Sequence, residues 1–141
     1  MYIAERTIEV RYAETDQMGV VYHANYIVWL ELGRTKLIET IGFRYADMEK
    51  VGFVSPVVDL SISYKRPITY GQVALIKTWV EEYNGVRVVY GYDIYNDVGE
   101  LSVKAYSTHI CAKKEGFKPV KMAKYFPEWD EAYKKISKNN K

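Results

Sequence analysis

Asp16 and His23 stand seven residues apart in the stretch Tyr12-Ala13-Glu14-Thr15-Asp16-Gln17-Met18-Gly19-Val20-Val21-Tyr22-His23-Ala24-Asn25-Tyr26. A carboxylate held beside a substrate can serve as a general base or as a nucleophile. An imidazole can carry a proton or hold a water. Gly19, between the two, permits the unusual backbone turn that lets such a loop fold back. The chain then runs into an apolar segment with helical spacing, so the loop can aim both side chains at a helix start. A helix N-terminus offers free N–H groups and roughly half a positive charge, which suits a developing oxyanion. For an isolated Asp and His a structural reading also stands, with Asp16 capping a turn and His23 half-buried in a loop.

The elements that must position this stretch follow from periodicity. Residues 5–12 read as a strand, with Ile8, Val10 and Tyr12 alternating against Thr7, Glu9 and Arg11. From about Ala24 to Ile41 the spacing predicts a helix, and Gly42 is its stop. Tyr26, Leu30, Gly33, Leu37 and Ile41 share one face, widened by Trp29 and Ile38. Gly33 in that stripe costs about 1 kcal/mol relative to alanine, so a close approach to a sheet is expected there. Val28 and Leu32 lie on the opposite side and suggest a second contact, such as a subunit partner. Glu31 and Arg34 are spaced for a surface pair worth a few tenths of a kcal/mol.

A loop or short helix over Tyr45–Val51 leads to strands at Val54–Lys65, Gln72–Tyr83, Val86–Tyr95 and Glu100–Lys113. Asn84-Gly85 is a hairpin signal, and Arg66-Pro67 ends a strand because proline cannot donate to a ladder. The tail carries a short amphipathic helix with Trp129, Ala132, Tyr133 and Ile136, then a segment, Lys138–Lys141, expected to fray. One strand, one long helix and four further strands make an α+β layout: a single antiparallel sheet with a helix on one face.

The 141 residues are enough for one domain with its own core. A net charge of +2 is too small to make nucleic acid or an anionic membrane the main partner. No apolar run approaches the roughly 20 residues of a membrane span, and no signal-peptide layout is present. The single Cys111 excludes an internal disulfide and fits a reducing compartment, so a cytoplasmic location is expected. Two distant histidines and one cysteine offer no metal-ligand cluster. His109 and Cys111 read as core residues of the last strand. No cofactor is called for.

The wording of the loop, D-x-M-G-V-V-Y-H-A-N-Y followed by W-L-E-x-x-R on the helix, resembles the signature of the hotdog-fold acyl-CoA thioesterases. The likeness is to the 4-hydroxybenzoyl-CoA thioesterase-like branch, and within it to the bacterial Tol–Pal-associated enzymes. It covers the chain to about Lys114, which makes 5–114 the core of a single domain over 1–141, with 115–141 as an extension. It implies a curved antiparallel sheet of about five strands wrapped around the long helix. It also implies hydrolysis of an acyl-CoA thioester without a cofactor. Asp16 takes the place of the catalytic carboxylate, and the N–H at His23 that of the oxyanion donor. Tyr12 and the His23 ring take the places of assisting groups. Tyr22 and Asn25 stand beside the substrate. The family's subunits pair edge to edge into dimers with shared active sites, and many form tetramers.

The sequence departs from the pattern in two places. The 4-hydroxybenzoyl enzymes have tyrosine where this chain has His23. Some of them bind coenzyme A phosphates with paired arginines at the hairpin, where this chain has Asn84-Gly85. Phosphate contacts then fall to cations near strand ends, foremost Lys65 and Arg66, with Arg87, Lys113 and Lys114 as further candidates. A non-catalytic hotdog module that binds acyl-CoA or protein, and a hydroxyacyl-thioester dehydratase, are the alternative functions. An intact Asp16 disfavours the first, and the Asp-loop signature the second.

Overall fold

The computed structural model describes residues 1–140. The chain forms strand β1 (Ala4–Glu9), helix α1 (His23–Thr40), helix α2 (Tyr45–Lys50), strands β2 (Phe53–Val54), β3 (Val57–Tyr64), β4 (Val73–Tyr83), β5 (Arg87–Tyr95), β6 (Leu101–Ile110), β7 (Ala112–Lys113) and β8 (Lys118–Pro119), and helices α3 (Met122–Tyr125) and α4 (Pro127–Ile136). Five strands make one antiparallel sheet in the order β1-β4-β5-β6-β3, and β2, β7 and β8 make a small second sheet. The large sheet wraps α1, which is the hotdog arrangement. No helix among the described residues is long and apolar enough to cross a membrane.

The apolar stripe of α1 is buried as its spacing requires: Tyr26, Trp29, Leu30, Gly33, Leu37 and Ile38 all face the core. Gly33 is where helix and sheet meet most closely. A Cβ built there would sit 2.4 Å from Thr78 Oγ1 and 3.1 Å from Ile76 Cγ2 on β4. Gly33→Ala should therefore destabilise the fold by about 1–3 kcal/mol through overpacking, although alanine is the better helix former by about 1 kcal/mol. Chemical denaturation checks this, and Thr78→Ala in the same chain should recover part of the loss. A stabilised single variant would show that the helix can lift off the sheet at no cost.

Several boundaries differ from the sequence reading. β1 ends at Glu9, and the last sheet-directed backbone bond on this segment runs from the Val10 N–H to the Gln72 carbonyl. Tyr12 therefore lies not on the strand but in a one-turn 3-10 helix over Tyr12–Glu14, with 76% of its surface exposed. α1 stops at Thr40, leaving Ile41 as a half-buried cap. Leu32 is partly buried against the core rather than free, so Ile27 and Val28 are the exposed apolar residues on α1. The long last strand breaks at Cys111, whose N–H turns to the Val86 carbonyl, and its end becomes β7 of the small sheet.

Glu31 and Arg34 form no ion pair; the Arg34 guanidinium donates instead to the Tyr92 hydroxyl at 3.1 Å. The C-terminal segment is part of the core, with Met122, Trp129 and Tyr133 buried. Its end is tied rather than frayed: the Lys138 N–H bonds to the Val80 carbonyl at 2.9 Å, and its ammonium reaches Glu81 at 3.4 Å. Lys141 lies outside the described residues.

Candidate active site

The loop between β1 and α1 is a miniature hairpin. Thr15 and Val21 form an antiparallel bridge, and the Asp16 N–H bonds to the Val20 carbonyl at 2.9 Å. Gly19 closes the turn at φ +80°, a conformation that favours glycine. A second bridge, Val20 to Thr69, and the Val21 N–H to the Ile68 carbonyl pin the hairpin to the segment after β3. Asp16 Oδ1 accepts the Met18 N–H at 2.8 Å. That bond holds the carboxylate by one oxygen and leaves Oδ2 free.

His23 is the first residue of α1. Its predecessor Tyr22 supplies no side-chain cap, and the His23 N–H meets no acceptor among the described residues. An uncapped helix start is costly inside a protein unless a ligand or water satisfies it. The turn is held from below. The Tyr64 hydroxyl, at the end of β3, donates to the His23 carbonyl at 3.1 Å, and its ring packs edge-on to the imidazole. Burial raises the Tyr64 phenol above its ordinary value, so it remains a donor at neutral pH.

Asp16 and His23 line one pocket of about 280 Å³ together with Tyr26, Tyr64, Lys65 and Arg66. A carboxylate, a free helix N-terminus and two exposed cations thus converge on one space. Arg66 is shared with Glu100 at 3.6 Å, whereas Lys65 forms no ion pair among the described residues. The remaining cations are elsewhere. Arg87 pairs with Ile110 at the opposite end of the sheet, Lys113 lies over the Tyr125 ring on the small sheet, and Lys114 follows it.

Tyr12, Tyr22 and Asn25 do not line the pocket. Tyr12 packs edge-on against Tyr70 on the surface, and the Tyr22 ring leans on His23 at 4.3 Å between centroids. The Asn25 side chain donates to the Glu14 carbonyl at 2.8 Å and orients the loop.

Residues 18–103 match the sequence model of the thioesterase superfamily. A Bacillus subtilis protein described as putative acyl-CoA thioesterase YneP is 61% identical over 138 residues, covering 98% of this chain and all of that one. The chain belongs to the thioesterase superfamily. A solved Staphylococcus aureus structure, described as a DHNA-CoA thioesterase, superposes with a TM-score of 0.94 at 50% identity, over 96% of this chain and 91% of that one. Acyl-CoA thioester hydrolase YbgC of Escherichia coli O6:H1 is 29% identical over 114 residues, 79% of this chain and 84% of that one.

Within this thioesterase-superfamily chain, the residue that sequence reading most undervalued is Glu14. It is only 5% exposed. Its carboxylate accepts the Trp29 indole N–H at 2.7 Å, the Arg11 backbone N–H at 2.8 Å and the Arg11 guanidinium at 3.2 Å. Burial alone would raise its pKa, but these donors outweigh burial and hold it below its ordinary value. The Glu14 carbonyl also takes the Tyr22 N–H and the Asn25 amide. Glu14 is thus the fixed point from which both the Asp16 hairpin and the start of α1 hang.

His109 and Cys111 are core residues, as read. Burial, with the nearby Arg34 charge, lowers His109 to about 4, so its ring is neutral at physiological pH. Burial pushes the Cys111 thiol up to about 11, which leaves it a poor nucleophile. Among the described residues no cluster of three potential metal ligands occurs.

Proposed function

We propose that the chain hydrolyses acyl-CoA thioesters in the pocket at the start of α1. The observation that carries this is the convergence of Asp16, the unoccupied His23 N–H, Lys65 and Arg66 on one space. The thioester carbonyl oxygen accepts from the His23 N–H, which stabilises negative charge as the tetrahedral state forms. Asp16 Oδ2 is the free oxygen. It either attacks the carbonyl carbon, releasing the thiolate and leaving a mixed anhydride for water to cleave, or takes a proton from a water that attacks directly. In both schemes the C–S bond breaks and the thiolate leaves with a proton. The His23 imidazole stands where it can deliver that proton or hold the water.

Lys65 and Arg66 are assigned to the coenzyme A phosphates, as exposed cations at the pocket rim. Tyr22, whose ring leans on His23, is assigned to the substrate side of the loop, Asn25 to the loop that positions both catalytic groups, and Tyr12, packed on Tyr70 at the surface, is assigned no contact in the pocket itself. We also assign a dimer. β3 is an edge strand with Val57, Val58, Leu60 and Tyr64 all exposed, and no residue of it is buried. Such an edge is a template for a second copy. Antiparallel pairing of β3 with its symmetry mate would cover it and extend the sheet. Exposed Ile27 and Val28 on α1 leave apolar surface for a further step to a tetramer. A buried free cysteine agrees with a cytoplasmic setting. Residues 1–141 act as one catalytic domain in this reading.

The oxyanion assignment separates backbone from side chain. His23→Ala keeps the N–H and removes only the ring, and losing one oxyanion donor typically costs about 2.7–4 kcal/mol. His23→Ala should therefore retain measurable thiol release from acyl-CoA and lose less than Asp16→Asn. An alanine variant that is folded, binds CoA and is as inactive as Asp16→Asn would make the ring essential and the backbone account insufficient.

A further inference from the structure

α1 begins without a side-chain cap, and two of its first N–H groups, those of His23 and Ala24, meet no acceptor among the described residues. An uncapped first turn frays unless something outside the helix holds it. The Tyr22–His23 peptide is held from within the loop. Its carbonyl accepts the Asn25 N–H at 2.8 Å, and the Asn25 side chain is itself tied to the Glu14 carbonyl at 2.8 Å. The next peptide, His23–Ala24, has one partner from outside the helix among the described residues. The Tyr64 hydroxyl donates to its carbonyl at 3.1 Å. His23, which carries the oxyanion donor, therefore lies between one peptide plane fixed by the loop and one fixed by Tyr64.

Tyr64 is a firm place from which to hold it. It is the last residue of β3 and pairs with Val103 of β6. Just beyond it, the Lys65 and Arg66 N–H groups both bond the carbonyl of buried Ser102, at 2.7 and 3.2 Å. The backbone that carries Tyr64 thus belongs to the sheet, and a group mounted on a strand is held more precisely than one on a loop. The Tyr64 ring rests on Tyr26 with centroids 5.7 Å apart, and Tyr26 packs edge-on to Trp29 at 5.2 Å. Trp29 in turn donates to Glu14. Tyr64 therefore braces the helix start against the same core that anchors the Asp16 hairpin.

Two routes run from Tyr64 to His23. One is the bond to the peptide carbonyl. The other is ring packing: the imidazole receives no hydrogen bond among the described residues, and meets the edge of the Tyr64 ring with centroids 6.2 Å apart. That separation is near the outer limit for aromatic contact. The bond to the carbonyl is the stronger route, because it both pins the first helical residue and polarises the peptide it acts on.

The geometry points to Tyr64 as a positioning residue for the reaction: by holding the His23 carbonyl, it keeps the first turn of α1 wound and the oxyanion donor aimed at the Asp16 pocket. The inference rests on the function proposed above. Tyr64 acts through the backbone and takes no part in bond making. Its side chain also lines the pocket with Asp16 and His23, so a plain wall is the competing role. Loss of a wall contact changes KM and depends on the acyl group. A hold on the helix start acts on the thioester carbonyl, which every substrate shares.

Tyr64→Phe keeps the ring and removes the hydroxyl, at a residue that is 48% exposed. Thiol release from acetyl-CoA, palmitoyl-CoA and benzoyl-CoA is measured with this substitution in the wild-type and His23→Ala backgrounds. Amide exchange at Ile27 is followed by NMR in the free protein. In the helical pattern the Ile27 N–H bonds the same His23 carbonyl, so its exchange reports unwinding of the first turn. Loss of one neutral hydrogen bond shifts such an equilibrium by roughly 3- to 10-fold. kcat and kcat/KM should fall together by that factor, equally for each ester cleaved. The fall should be the same in both backgrounds, since His23→Ala keeps the carbonyl. Ile27 exchange should quicken by a similar factor. A raised KM at unchanged kcat, or a loss confined to one acyl group, would make Tyr64 a wall of the pocket and overturn the proposal. A loss that vanishes in His23→Ala would run through the imidazole and overturn the backbone route. If none of the thioesters is cleaved, the reading of the reaction falls while Ile27 exchange still decides the hold: faster exchange in Tyr64→Phe sustains it, and unchanged exchange overturns it.

Discussion

Asp16→Asn should lower acyl-CoA turnover by at least about 100-fold, the lower range for removing a general base or nucleophile, with the fold unchanged. The geometry makes this substitution unusually clean. Asparagine keeps Oδ1, which accepts the Met18 N–H at 2.8 Å and holds the turn. It replaces only Oδ2, which no group among the described residues engages. Asp16 is also a surface-loop residue rather than part of the core cluster, so its exchange leaves packing alone. Free thiol release from acyl-CoA, with a melting curve on the same samples, checks both halves of the expectation. Near wild-type hydrolysis by a folded Asp16→Asn variant would move the chemistry to another residue.

Glu14→Ala should cost about 3 kcal/mol or more of folding stability, because it strips the buried Trp29 indole and the part-buried Arg11 backbone N–H of an ionised acceptor. It should also reduce turnover, since the Tyr22 and Asn25 contacts that aim the start of α1 converge on the same residue. Glu14→Gln retains an acceptor for Trp29 but turns an amide N–H₂ toward Arg11, so an intermediate loss is expected. The sign of the pH dependence follows from the lowered pKa. Glu14 contributes its full stability above the ordinary carboxylate value near 4.5 and loses it as pH falls through the lower folded-state value. Acid denaturation of the wild type should show this step below pH 4.5, and Glu14→Gln should lack it. Equal acid sensitivity of the two proteins would remove Glu14 as the anchor.

What could be read in the sequence was what local spacing encodes. The α1 stripe, the Asn84-Gly85 hairpin and the close approach at Gly33 all depend on neighbours within a few residues. Asn84 Oδ1 accepts the Val86 and Arg87 N–H groups, which is how that side chain makes the turn. The misreadings concern partners distant in sequence. Alternation carried Tyr12 into the strand, but the ladder with β4 ends at Glu9 and the segment turns away. Glu14 carries no signal of its own in the sequence, because the donor that buries it, Trp29, lies fifteen residues on. Arg34 looked paired to Glu31 on the surface, while its real partner is Tyr92, fifty-eight residues away across the sheet. Lys65 and Arg66 were legible as strand-end cations, yet only the β3 crossover brings them to Asp16.

The most direct test of the account is free thiol release by the purified wild-type chain against acyl-CoA esters from acetyl to palmitoyl, aromatic acyls included, with CoA binding measured on the same protein. The account predicts turnover of at least one of these thioesters, abolished by Asp16→Asn while CoA binding persists. Tight CoA binding with no thiol released from any ester would contradict it, and would leave a pocket that holds the substrate without cleaving it.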